Sequence, residues 1–161
     1  MATFTPQSIL VTGGAGFIGS NFIRRFMERY PECRVVNLDL LTYAGNLENL
    51  NDIADRTTYC FVKGDIADGP LVSSLLSEHA VDAVIHFAAE SHVDRSISGP
   101  ELFVRTNVLG TQVLLECCRQ YWQSGVAPQF RYYQISTFII TQINFNCITH
   151  SLVSPCNSTI C

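Results

Sequence analysis

Three glycines, Gly13, Gly16 and Gly19, follow the short apolar run Ile9-Leu10-Val11 and lead at once into a helical pattern. A chain stripped of side chains at a helix N-terminus can lay its N–H groups against a pyrophosphate, where the positive end of the helix dipole favours an anion. Gly13 permits the tight bend, Gly16 lets the backbone approach the phosphates, and Gly19 lets helix and strand pack closely. Twenty residues after Gly19 comes Asp39, at the end of a second apolar run. A carboxylate there accepts hydrogen bonds from both hydroxyls of an adenosine ribose and repels a 2′-phosphate. That chemistry favours NAD over NADP, and no Arg follows Asp39 before Arg56 to argue otherwise.

Further along, Asp65 closes a third apolar run at Gly64-Asp65 and is placed to take the adenine amino group, with Ile66 adding its backbone. The plain alternative is a Gly-Asp turn with no ligand. His86-Phe87-Ala88-Ala89-Glu90-Ser91-His92 ends a fourth run, and its two alanines leave room for a ribose or nicotinamide against the chain. His86 reads as a satisfied core histidine. His92 has no Cys or carboxylate at ligand spacing, so no metal site is expected. Asp94-Arg95 reads as a surface ion pair.

The elements that must position these groups alternate. Strands are expected at Ser8 to Val11, Arg34 to Leu38, Thr58 to Val62, Ala83 to Phe87 and Phe130 to Ser136. Helices are expected at Phe17 to Tyr30, with Ile18, Phe22, Ile23 and Phe26 on one face, and at Pro70 to Glu78, which opens with Pro in its first turn. A long helix is expected at Pro100 to Gln123, amphipathic through Leu102, Val108, Leu109, Val113 and Leu114. A short helix falls within the polar stretch 42–55. Strands separated by helices imply right-handed crossovers and a parallel sheet. The fold expected is therefore α/β, a Rossmann-type sheet of order 3-2-1-4-5 with helices on both faces and its crevice between strands one and four.

At 161 residues the chain is one ordinary domain, 47% hydrophobic, with a net charge of −4. This charge offers nothing to nucleic acid or an anionic membrane. Met1 to Ser8 is polar and does not read as a signal peptide, and no apolar run is long enough to span a bilayer. The seven cysteines lack CxxC or zinc-like spacing, and Cys33, Cys60, Cys117 and Cys118 read as small buried residues of a reducing cytoplasm. Composition breaks at Phe138. The 10 basic and 14 acidic residues all lie within the first 137 positions, whereas folded chains are normally about a quarter charged throughout. The division expected is a partial dinucleotide-binding domain over 1–137 and a divergent uncharged tail over 138–161 without regular structure.

The phrases TGGAGFIGSNF, NLDLLTYAGNLENL, KGDI, HFAAESHVDRSI, TNVLGTQVLLE and YYQIST resemble the extended short-chain dehydrogenase/reductase family. LTYAGNLENL with AAESHVDRSI is closest in kind to its nucleotide-sugar dehydratases. The resemblance covers residues 8–137. It implies that Phe17 and Ile18 flank the pyrophosphate, that Asp39, Leu40, Leu41 and Thr42 bracket the adenosine ribose, and that Asp65 and Ile66 meet the adenine. Phe87, Ala88, Ala89, Glu90 and Ser91 would line the nicotinamide side, with Thr106 near the same ribose. Ser91 and Thr137 would touch a nucleotide sugar of the dTDP-glucose kind, Thr137 near its 4-hydroxyl. In such enzymes NAD takes a hydride from C4, water is lost across C5 and C6, and the hydride returns at C6.

That chemistry needs groups that move protons. The family pattern after the threonine is Asp-Glu, and this chain has Phe138 and Ile139 there. The family's Tyr-x-x-x-Lys pair should follow on a helix. The single lysine does form Tyr59-x-x-x-Lys63, but in an expected strand, where residues four apart lie roughly 13 Å from each other. The reading is a truncated, catalytically incompetent relative that keeps part of an NAD site and lacks the helix a family homodimer needs. The alternatives are a non-catalytic NAD-binding or interaction module, and a fragment of another nucleotide-sugar epimerase or dehydratase.

Overall fold

The computed structural model describes residues 4–91, 100–135 and 140–143. Along the chain come β1 (Ser8–Thr12), α1 (Phe17–Arg29), β2 (Arg34–Asp39), a 3-10 turn (Leu47–Leu50), β3 (Tyr59–Lys63), α2 (Gly69–Glu78) and β4 (Ala83–His86). Then follow α3 (Pro100–Phe103), a π-helical segment (Val104–Gly110), α4 (Thr111–Gln123), β5 (Arg131–Ile135) and β6 (Ile140–Ile143). The sheet runs β3-β2-β1-β4-β5-β6. Its first five strands are parallel, in the order expected. β6 is an addition. It pairs antiparallel with β5, Ile135 opposite Ile140, and so a strand stands in the stretch expected to have none. The edge of β5 is paired as a result.

Both faces of the sheet are covered, which is why its strands read as continuous apolar runs. Leu10, Val36, Leu38 and Val84 pack under α2 and α4 against Leu75, Leu76 and Leu114. Ile9, Val11, Val35 and Ile85 face the other way, onto Ile23 and Met27 of α1.

Two helix faces differ from expectation. The buried positions of α1 are Gly19, Ser20, Ile23 and Met27, and Ile18 is 63% exposed. Small residues take the inner face of the first turn because a Cβ on Gly19 would strike the Gly13 carbonyl oxygen and come within 2.7 Å of Gly14 Cα. In the long helix, Leu114 is buried but Leu102, Val108 and Leu109 are 57%, 62% and 49% exposed. The π-helical turns at 104–110 are wider than α-helical ones. Residues before and after them therefore no longer share one face.

His86 sits in the core with no exposed surface. Its Nδ1 lies 2.6 Å from Thr12 Oγ1 and its Nε2 3.1 Å from Thr111 Oγ1. Burial pushes its pKa down from 6.5 to about 4, so the ring is neutral. Because the folded pKa is depressed, the stability gained by keeping the ring neutral is present above pH 6.5 and is lost as pH falls towards 4. Between pH 7 and pH 4 the wild type should lose on the order of 3 kcal/mol more than a His86→Gln variant. Urea unfolding midpoints at the two pH values check this; parallel losses in both proteins would contradict it.

Of the four described cysteines, Cys33, Cys117 and Cys118 are buried as expected, Cys60 is half-buried, and all are free. Burial pushes the Cys33 thiol up to about 12, which keeps it protonated and unreactive.

Candidate functional site

The site lies where β1, β2, β3 and β4 end. β1 stops at Thr12, and Gly13 turns the chain with φ +71°. Its N–H donates to the Leu38 carbonyl at 3.0 Å, which ties the bend to β2. Gly16 is the N-cap of α1, in extended backbone, and the helix has neither a side-chain cap nor an acidic residue in its first turn. The positive end of α1 is therefore left for an outside anion. A Cβ added to Gly16 would meet nothing nearer than the Gly13 oxygen at 3.4 Å. That is ordinary van der Waals contact, so no packing clash requires glycine here, and Gly16 borders the cleft.

Asp39 holds this turn from beneath. One carboxylate oxygen accepts from the Ala15 N–H at 2.9 Å and the other from the Leu41 N–H at 2.8 Å. Leu41 itself has φ +56°, a left-handed conformation held by that bond. Asp39 is 8% exposed and borders the cleft. Each oxygen accepts one of these bonds and keeps further acceptor capacity. The carboxylate thus braces the glycine turn, a role its spacing alone does not show.

Two more braces went unread in the sequence. The Asn46 N–H and the Asn49 side chain both donate to the Ala15 carbonyl, at 3.0 and 3.1 Å. The polar stretch after β2 is what clamps the glycine turn from outside. Asn107, in the π-helical segment, bonds reciprocally with the backbone of Glu90, its Oδ1 accepting and its Nδ2 donating at 2.8 Å each. That pair fixes the wall formed by the end of β4. An Asx amide opposite a strand end has no local spacing signal, so only the packed structure reveals it.

Between these parts opens a cleft of about 620 Å³, counting solvent at its mouth. Of the residues expected there, Gly13, Gly16, Asp39, Leu40 and Thr42 line one side. Asp65, Ile66 and Thr106 line the floor beyond β3, and Phe87, Ala88, Ala89 and Glu90 line the wall. Leu38, Ala44, Gly45 and Gly64 complete it and were not anticipated. Phe17 and Ile18 stand on the first turn of α1 with side chains 82% and 63% exposed, outside the cleft lining. Gly19 serves the helix packing, and half-buried Leu41 and exposed Ser91 are not part of the lining. Thr137, His92, Asp94 and Arg95 lie outside the described residues.

Asp65 is held on both oxygens. Its Oδ1 accepts from the Ala67 N–H at 2.9 Å, and its Oδ2 accepts from Arg105 Nη2 at 3.0 Å. Tyr59 and Lys63 stand at opposite ends of β3, with Lys63 exposed beside Asp39 in the strand register. The Tyr59 hydroxyl accepts from Asn37 Nδ2 at 2.9 Å, and burial pushes its pKa up. A phenol acting as a base needs the opposite shift. Among the described residues no three His, Cys, Asp or Glu side chains gather to hold a metal. No helix among them is long and apolar enough to cross a membrane.

Comparison with known proteins agrees with this geometry. The profile of the GDP-mannose 4,6 dehydratase family matches residues 10–138. A dTDP-glucose 4,6-dehydratase of Xanthomonas campestris pv. campestris (strain B100) is 56% identical over 131 residues, which cover 80% of this chain and 37% of that protein. The chain thus spans little more than a third of the length of such relatives. The crystal structure of a dTDP-glucose 4,6-dehydratase from Bacillus anthracis in complex with NAD superposes with a TM-score of 0.70 at 41% identity, covering 81% of this chain and 37% of that one. A UDP-glucose 4-epimerase from Thermotoga maritima, solved with UDP-glucose, gives a TM-score of 0.63 at 36% identity, covering 71% of this chain and 34% of that one.

Proposed function

The chain belongs to the GDP-mannose 4,6 dehydratase family, and from that premise we propose that its residues grip NAD on behalf of nucleotide-sugar 4,6-dehydration of the dTDP-glucose kind. The uncapped end of α1 at Gly16, which borders the cleft with Asp39, is the observation that carries this reading. Gly13, Gly16 and the first N–H groups of α1 hold the pyrophosphate. Asp39 takes the adenosine ribose, and Asp65 with Ile66 takes the adenine. Phe87 to Glu90 and Thr106 bound the nicotinamide half, and Ser91 and Thr137 belong to the sugar nucleotide. NAD, when bound, supplies a hydride acceptor. The part of the chain's own residues is to bind, orient and shield it. A cytoplasmic setting belongs to the same proposal and is supported by the free thiols in the core.

The proton transfers of dehydration are not assigned to these residues. Phe138 and Ile139 follow Thr137, and neither side chain exchanges a proton. The single lysine lies in β3, and burial pushes the pKa of Tyr59, four residues before it, up rather than down. These features favour a second reading, an NAD-binding module that does not itself turn over. Equilibrium dialysis of the 161-residue chain decides the first point: NAD should bind, and NADP at least about tenfold more weakly because Asp39 repels its 2′-phosphate. Absence of NAD binding would sink the proposal. Supplying dTDP-glucose then separates the readings, since a 4-keto-6-deoxy product appears only if the chain completes the reaction.

A further inference from the structure

The π-helical segment grips the turn after β3 at two points. A Cβ on Gly110 would come within 2.8 Å of Ile66 Cδ1, so the segment lies hard against Ile66. Five residues earlier, Arg105 reaches Asp65 at 3.0 Å. Thr106, the very next residue, lines the cleft that Asp65 and Ile66 also line. Consecutive residues of one helical segment thus serve the same corner, one by touching the cleft and one by holding the carboxylate that borders it. The Asp65 side chain is 23% exposed and Arg105 61% exposed, so the acid is the more buried partner of the pair.

We infer that Arg105 is a positioning residue for base recognition: it fixes the Asp65 carboxylate so that its free lone pairs face the base of the bound dinucleotide and select a 6-amino purine. This rests on the NAD reading above and deepens it. A carboxylate is an acceptor only. It welcomes the exocyclic amino group of adenine and repels the 6-oxo group of hypoxanthine at the same place. An Asp side chain held by Ala67 alone keeps one anchored oxygen and turns about it. Pinned at both oxygens, it offers the base one direction, and charge-assisted pairing is the strong form of that restraint. The preference for adenine therefore depends on a residue that need not touch the base.

The test uses the full chain and two probes, NAD and nicotinamide hypoxanthine dinucleotide, with affinities measured by calorimetry. The wild type should prefer NAD by roughly tenfold or more, the worth of one hydrogen bond to a charged group. Arg105→Ala should bring the two affinities to within about threefold of each other, mainly by weakening NAD, while its unfolding midpoint stays near that of the wild type, as for an exposed pair. Arg105→Lys should restore part of the preference, because an ammonium pairs with the carboxylate without the planar fork. Asp65→Asn should abolish it. If Arg105→Ala keeps the wild-type ratio while Asp65→Asn destroys it, the inference is wrong and the NAD reading stands. A wild type that binds neither dinucleotide overturns both.

Discussion

Gly13→Ala should lower the unfolding temperature by roughly 10 °C and abolish NAD binding, whereas Gly16→Ala should leave the temperature nearly unchanged and abolish NAD binding alone. Gly13 has φ +71°, and a Cβ there would come within 2.6 Å of Ala88 N and 2.7 Å of Ala88 Cα. These are backbone atoms at the end of β4, which cannot swing aside as a side chain would. The left-handed conformation costs an alanine about 1–2 kcal/mol, and forcing an extra methyl into packed surroundings adds about 1–3 kcal/mol. Gly16 has an ordinary φ of −73°, and a Cβ there would make only ordinary contact, 3.4 Å from the Gly13 carbonyl oxygen. Its methyl group strains nothing, yet it occupies the room over the helix end where a phosphate must come. Thermal melts together with dialysis measure both effects. Equal melting temperatures for the two variants would show that the turn is looser than the geometry states.

Asp39→Ala should destabilise the chain by about 2–4 kcal/mol and remove its discrimination between NAD and NADP. The wild-type carboxylate accepts from the N–H groups of Ala15 and Leu41 at 2.9 and 2.8 Å. Ala15 is fully buried, so its donor has no water to turn to. Leu41, at φ +56°, loses the bond that holds it in a costly conformation. Losing the negative charge also removes the repulsion that keeps a 2′-phosphate out. Urea titration reads the first effect, and the ratio of NAD to NADP dissociation constants reads the second. A variant that keeps its midpoint would mean that Asn46 and Asn49 alone secure the turn through the Ala15 carbonyl.

The parallel order β3-β2-β1-β4-β5 was legible because each strand is a short apolar run bounded by a turn, and right-handed crossovers leave few other arrangements. The glycine turn and Asp39 were legible for a related reason: their roles depend on backbone freedom and spacing along one βαβ unit, both of which are local. Lys63 was legible in the same local way. Its spacing from Tyr59 matches a catalytic pair, but the run reads as a strand, which β3 is, and the structure adds that the phenol is bonded to Asn37. β6 was hidden because residues 138–161 carry neither charge nor period, and an edge strand needs only a partner to pair with.

The amino-acid order by itself determined that a glycine turn of the dinucleotide-cradle kind forms at the end of β1, since glycines at this spacing let the chain bend there and the helix pack close to the strand. What the tertiary structure alone decided is how that cradle is held. Asp39 braces Ala15 across 24 positions, Asn107 grips Glu90 across 17, and Arg105 secures Asp65 across 40. Hydrogen bonds between residues so far apart in the chain leave no periodic trace in sequence, because their partners are chosen by where the strands end in space.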